Sequence, residues 1–224
     1  MMSDYMPNAS AVSPSDRVRF RCTGCGECCR HVHESVPLES LDLFRLALYL
    51  RNTDESITCI DDVVGKYADP VLLDECGYFV YMLKTIGADD ACVFLKDNRC
   101  AIHAAKPCAC RMYPFVAEPK ENGGFGYLVS KERTRHFTGP SIKVKSWMSQ
   151  YFTLADRDFL RADFGAAKSI VRLLRRIPKS RRSGAALHFL WYKYCAFDLD
   201  KPFLEQFLRN TQELLQVLSM MTGS

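Results

Sequence analysis

The stretch Cys22-Thr23-Gly24-Cys25-Gly26-Glu27-Cys28-Cys29-Arg30 sets four thiols within eight residues, and its reading governs the rest of the chain. A Cys-x-x-Cys-Gly step turns two sulfurs to one side, and glycine tolerates the positive φ that such a knuckle can need. Repeating the two-residue gap and then doubling the last cysteine is not a pattern of inert packing. A second group begins 63 residues after Cys29, where Cys92 and Cys100 flank Lys96-Asp97-Asn98-Arg99 and Cys108 and Cys110 follow. Those intervening residues are turn formers, able to fold Cys92 back towards Cys100. Arg30, Lys106 and Arg111 stand beside the thiols, and we expect Arg30 and Arg111 to compensate thiolate charge.

Composition decides how these cysteines are read. The chain has 224 residues, 11 of them cysteine, with 30 Lys plus Arg against 26 Asp plus Glu and 48% hydrophobic content. That length can bury a real core without covalent staples, so stability does not require the thiols. The opening residues Met1 to Asn8 carry no basic stretch followed by an apolar run, and no 18 consecutive residues are apolar, which points away from secretion and membrane spanning. The expected location is cytoplasmic. There, clustered thiols stay reduced and mean metal or redox chemistry more often than structural disulfides.

Ten of the eleven cysteines fall within the first 110 residues, which divides the chain. We read 1–20 as a mobile N-terminal tail, 21–140 as a cysteine-cluster metal-binding domain and 141–224 as a helical region. Apolar spacing predicts helices near 38–51, 59–68, 156–176 (capped by Asp156 and ended by Pro178), 187–197 and from Asp200 to Gly223. The aromatic runs 77–84 and 124–130 read as strands, paired with each other. The fold class is α+β, mainly helical: a small irregular Cys-rich domain with few short strands, followed by a C-terminal helical region.

Zinc takes four tetrahedral ligands, and an iron-sulfur cluster also uses Cys-x-x-Cys-x-x-Cys with a remote cysteine. The sequence supplies both patterns, with more thiols than one mononuclear site accommodates. Two sites, or one polynuclear site with bridging thiolates, accommodate them better, and iron and zinc both stay open. A thiol-disulfide oxidoreductase would set its Cys-x-x-Cys in a βαβ context that is absent here. Cys59, Cys76 and Cys195 sit among apolar residues and read as core thiols, and His103 as an exposed helix-face histidine.

At Cys22-x-x-Cys25-Gly26-x-Cys28-Cys29-Arg30, Cys92-x-Phe94-Leu95, Cys100-x-Ile102 and Pro107-x-x-Cys110-Arg111-x-Tyr113-Pro114-Phe115, the chain resembles the YkgJ-type cysteine-cluster family, described as chelating zinc or iron. These segments occur in order over roughly residues 20–140. The resemblance implies Cys22, Cys25, Cys28, Cys29, Cys92, Cys100 and Cys110 as ligands; Cys108 falls outside the pattern. Some members continue with His-Cys-x-Gly, where His136-Phe137-Thr138-Gly139 carries Phe, so His136 or an external ligand can replace that thiol. The wider family includes a flagellin lysine N-methylase, so the alternative function is an iron-sulfur-dependent protein-modifying enzyme; the sequence shows no substrate pocket and assigns no catalytic residue.

Charge gives one more feature. From Arg157 to Arg182 nine basic residues face two acidic ones, and Arg161, Lys168, Arg172 and Arg175 recur on one helix face, with Arg176 beside them. A solvated face is the plain reading. The sharper one is a partner-binding module in which a structural zinc supports a basic docking helix for an acidic protein or polyanion.

Overall fold

The run Phe125–Ser130 forms the central strand of an antiparallel three-stranded sheet, between Ala9–Val12 and Phe115–Pro119. The computed structural model describes residues 8–223. Helices take 48% of the chain and strands 20%, a mixed α+β and mainly helical architecture. The chain gathers into two units, one up to Val32 plus Thr85–Arg157, the other His33–Lys84 plus the residues from Asp158 onward.

In the first unit the central sheet turns tightly at Gly123, whose φ of +74° and exposed position suit glycine. Ala9–Val12, within the stretch read as a tail, is held by its ladder to Tyr127–Ser130. A second antiparallel ribbon joins Arg17–Arg19 to Ser141–Lys143. Phe20, Phe115, Val129, Val144, Met148 and Phe152 fill the core, each at most 2% exposed. Phe20 meets the edge of Trp147 at 5.3 Å, and the Trp147 indole N–H donates to the Met112 carbonyl at 2.9 Å. The helix Leu154–Arg176 starts two residues earlier than its apolar spacing suggests. Thr153, not Asp156, caps it: the Asp156 carboxylate accepts the Thr153 N–H at 2.8 Å while the Thr153 hydroxyl accepts the Asp156 N–H at 3.3 Å. This reciprocal pair is a capping box, in which the acid belongs at the third helical position.

In the second unit Tyr78–Leu83 lies between Pro37–Leu38 and Ala68–Asp74 in an antiparallel sheet. The two aromatic strands expected to pair with each other therefore belong to different sheets. Sequence alternation specifies a half-buried strand without naming its partner. Ser40–Leu50 is capped reciprocally by Glu39 and Asp42, and Ile60–Tyr67 by Asp62, which accepts the N–H groups of Thr58 at 2.7 Å and Cys59 at 3.1 Å. Leu43, Leu46, Ile60, Leu174, Phe189 and Leu218 are fully buried, and Phe159, Phe203 and Phe207 form an aromatic cluster. The helix Leu154–Arg176 ends just before Pro178, which lacks the amide to continue it. The last helix is Phe203–Thr222.

The apolar run 187–197 does not form one helix. Arg182–Leu190 is α-helical and Trp191–Cys195 widens into a π turn. That turn carries Lys193, 4% exposed, whose ammonium pairs with Asp163 and lies 5.5 Å from the Tyr194 ring centre. Burial works against the Lys193 charge, but Asp163 and the surrounding tyrosines and Glu39 hold its pKa well above the ordinary lysine value. Burial, with Asp163 beside it, raises Glu39 to about 7. No helix among the described residues is long and apolar enough to cross a membrane.

Removing one member of a buried ion pair strands the other charge, at a cost of roughly 3–5 kcal/mol. Asp163→Asn is expected to destabilise the chain by an amount of that order in denaturant titrations, and Asp163→Leu with Lys193→Met by much less.

Candidate metal centre

The knuckle begins with backbone geometry. Gly24 and Gly26 have φ of +67° and +74°, and the Cys29 N–H donates to the Gly26 carbonyl at 2.9 Å, starting a short 3-10 turn over Glu27–Cys29. The second cysteine group supplies the surface it rests on. Leu95–Lys96 and Arg99–Cys100 form a hairpin whose two turn residues, Asp97 and Asn98, both take positive φ, as a type I′ turn requires. A side chain built on Gly26 would come within 2.7 Å of the Asn98 carbonyl oxygen, so the knuckle is seated directly against this turn.

Hydrogen bonds fix that seat. Arg30 donates to Asn98 Oδ1 and to Asp89 Oδ2, each at 2.8 Å, and the His31 N–H donates to the Asp89 carbonyl at 2.7 Å. From the other side comes the 3-10 segment Thr134–Thr138. Arg133 donates to the Arg30 carbonyl at 2.6 Å, and Arg135 pairs with Glu27 at 3.1 Å. This segment carries His136, 7% exposed, with Nε2 3.3 Å from Cys25 Sγ and Nδ1 3.2 Å from the Tyr113 hydroxyl.

The thiols from the two segments sense one another. Cys28 and Cys29 sulfurs are 4.0 Å apart. Donation by Cys29, assisted by Lys106 and Arg133 and opposed by burial, lowers Cys28 to about 6. The same bond and burial, with the charges of Cys28, Cys92 and Cys110, hold Cys29 protonated far above its ordinary range. Burial raises Cys92, and Cys100 and Cys28 add to the rise; burial also raises Cys100, with Cys28 contributing. Burial is likewise the main cause that raises Tyr113, which faces the charges of Cys28 and Cys25.

Five of the seven cysteines that the sequence singles out thus share one electrostatic neighbourhood: Cys28, Cys29, Cys92, Cys100 and Cys110. Cys25 is exposed and faces His136, and Cys22 is exposed. Among the described residues no three Cys, His, Asp or Glu side chains stand drawn together in metal-binding geometry. The donor set itself suits zinc or iron, since thiolate and imidazole are the ligands those ions favour over hard cations.

Several neighbouring residues differ from expectation. Arg111 is held by Asp156, 2% exposed, through contacts of 2.9 and 3.3 Å, and Arg30 by Asp89 and Asn98; Lys106 and Arg133 are the cations that lower Cys28. A buried carboxylate out-competes a thiol for a guanidinium fork. Tyr113, which stands in the segment Pro107-x-x-Cys110-Arg111-x-Tyr113, and Arg133 join the site beyond the residues the sequence points to. His103 is exposed, Cys76 and Cys108 are buried, and Cys59 and Cys195 are half-buried.

Among known proteins, the CxxCxxCC family model, described as a "putative zinc- or iron-chelating domain", matches residues 21–137. No curated protein and no solved structure matches the chain.

Gly26→Ala is expected to destabilise more than Gly24→Ala in denaturant titration. Both incur the left-handed penalty of roughly 1–2 kcal/mol, but only at position 26 does the added carbon strike the Asn98 carbonyl, whereas the space round Gly24 is open.

Proposed function

The chain belongs to the CxxCxxCC family, and on that premise we propose that it chelates zinc or iron through thiolates from the knuckle and the hairpin segment, 63 residues apart. The observation that carries this reading is the mutual electrostatic effect of Cys28, Cys29, Cys92, Cys100 and Cys110. Thiolates gathered at one place repel, and each is half-buried or buried, so charging them together calls for a cation. Cys22 and Cys25 complete the proposed ligand set, and His136 stands beside Cys25 as a nitrogen donor with Tyr113 orienting its ring. A set this large suits two ions or a polynuclear centre with bridging thiolates. When bound, the metal would neutralise the thiolates and tie the two segments, contributing folding energy directly. The reading places the protein in a reducing compartment such as the cytoplasm, where the thiols remain available.

A second reading concerns the helix Leu154–Arg176 as a docking face for an acidic partner. Arg161 pairs with Asp158 at 3.2 Å and Arg175 with Asp74 at 2.6 Å, so two of its cations are already matched. Lys168, Arg172 and Arg176 line an open groove of about 580 Å³ with Ala167 and Val171, and that groove is what supports this reading.

Protein purified without oxygen is expected to contain zinc or iron in fixed ratio to chain, lost in Cys28→Ser. Acid-labile sulfide with visible charge-transfer bands would assign an iron-sulfur cluster, and a colourless zinc protein a mononuclear or bridged zinc centre. Because ligands must be deprotonated, metal affinity is expected to fall as pH is lowered. A metal-free chain whose melting is unchanged by added zinc, iron or chelator would remove the proposal.

A further inference from the structure

The ribbon of Arg17–Arg19 and Ser141–Lys143 carries a charge arrangement that strand pairing alone disfavours. In its antiparallel register Arg17 lies opposite Lys143 and Arg19 opposite Ser141. Residues two apart share a face, so Arg17, Arg19 and Lys143 crowd one exposed surface, and directly opposed like charges destabilise a sheet. No carboxylate answers either arginine among the described residues. Arg17 donates to Ser141 Oγ at 3.1 Å and the Ser141 carbonyl at 3.2 Å, and Arg19 to the Gly139 carbonyl at 3.2 Å. These neutral acceptors orient the guanidinium groups without discharging them.

The outer main-chain edge beside them is also unpaired among the described residues. The Phe20 N–H donates to the Pro140 carbonyl at 3.1 Å and the Val144 N–H to the Asp16 carbonyl at 3.0 Å. Ladder bonds alternate along an antiparallel strand, so positions 16, 18 and 20 use theirs inward while the amides of Arg17 and Arg19 turn to the opposite edge. In Ala9–Val12 the Lys131 N–H donates to the Asn8 carbonyl at 3.2 Å, which by the same alternation leaves the N–H and C=O of Ala9 and Ala11 on the outer side. Both strands are terminal in their sheets. A cleft of about 610 Å³ is lined by Ser10–Val12 and Asp16–Arg19, with Val129, Lys131 and Phe137 completing its wall.

We propose that this cleft binds an acidic peptide segment in extended form, which adds as a strand to the free edge of Ala9–Val12 while its carboxylates meet Arg17, Arg19 and Lys131. The unpaired edge is what selects a peptide over a nucleic acid, because phosphates would use the cations and leave the strand amides idle. None of the cysteines lines the cleft, and the proposal does not depend on metal.

The test titrates the full-length protein with a short fluorescent peptide of alternating Glu and Val, the same peptide with Lys for Glu, and a single-stranded oligothymidylate. The Glu peptide is expected to bind, more weakly at higher salt, and the Lys peptide not. Ala11→Pro deletes an outward N–H and no ladder bond, which edge strands tolerate, and Ala9→Pro probes the same edge should the first variant fold poorly. Either is expected to weaken binding about tenfold or more, as is Arg17→Gln with Arg19→Gln. The proposal is overturned if the Glu peptide does not bind, if the Lys peptide binds equally, or if the oligothymidylate binds best and the proline variants change nothing.

Discussion

Thiolates repel one another, and half-buried thiolates do so with little water between them; the arrangement around Cys28 follows from that constraint. Donation by the Cys29 thiol lowers Cys28 to about 6, and the same bond, with burial and the charge of Cys28, drives Cys29 far upward. Two protein cations, Lys106 and Arg133, approach the cluster, and Arg111, nearer in sequence, is taken by the buried Asp156 carboxylate. The other thiols of the cluster, Cys29, Cys92 and Cys100, are all raised, with burial among the causes. On the proposed reading a bound cation would neutralise the remaining thiolates, and the backbone would need only to keep the sulfurs near each other until it arrives. The hairpin at Asp97-Asn98 and the glycines at 24 and 26 perform that task with main-chain geometry alone.

Much of this was legible in local chemistry. Cys-x-x-Cys-Gly implied a knuckle, and Lys96-Asp97-Asn98-Arg99 implied a turn bringing Cys92 towards Cys100; both are present. The helices Ser40–Leu50 and Ile60–Tyr67 fall within a residue or two of their apolar spacing. What was hidden depends on partners distant in sequence. Nothing near Phe125–Ser130 states that its neighbours are Ala9–Val12 and Phe115–Pro119, since alternation describes a strand's faces and not its edges. Likewise the sequence offers His136 as a substitute for the thiol missing from His136-Phe137-Thr138-Gly139 without saying what it would face. Its place beside Cys25 comes from Arg133 and Arg135, which bond back to Arg30 and Glu27 and draw the segment onto the knuckle. The interleaving of 33–84 with the C-terminal helices is equally invisible to a composition profile, which changes only along the chain.

The second unit shows a different economy of charge. Its sheet and helices bury an ordinary apolar core, yet Lys193 is placed inside it on a π turn, among Asp163, Tyr194 and Glu39. An apolar run ending in a polar insertion at the π turn is the trace this leaves in sequence, and pattern reading smooths it into one helix. Lys193 and Tyr194, adjacent within the π turn, both face inward, 4% and 0% exposed.

The seating of Gly26 against Asn98 has a consequence for how the chain can vary in length. The knuckle meets the hairpin turn closely at the Asn98 carbonyl, with the Leu95 side chain beside it, so little room is left to absorb a misfit. One residue gained or lost at Asp97-Asn98 would reposition the carbonyl that meets Gly26 and shift Cys100 against Cys92. The turn at Lys120–Gly124 is exposed over much of its length and a side chain on Gly123 would meet open space, so insertions there would extend into solvent. The hairpin and the knuckle are thus matched in length as well as in chemistry, and an epitope or a fused domain belongs in the second turn.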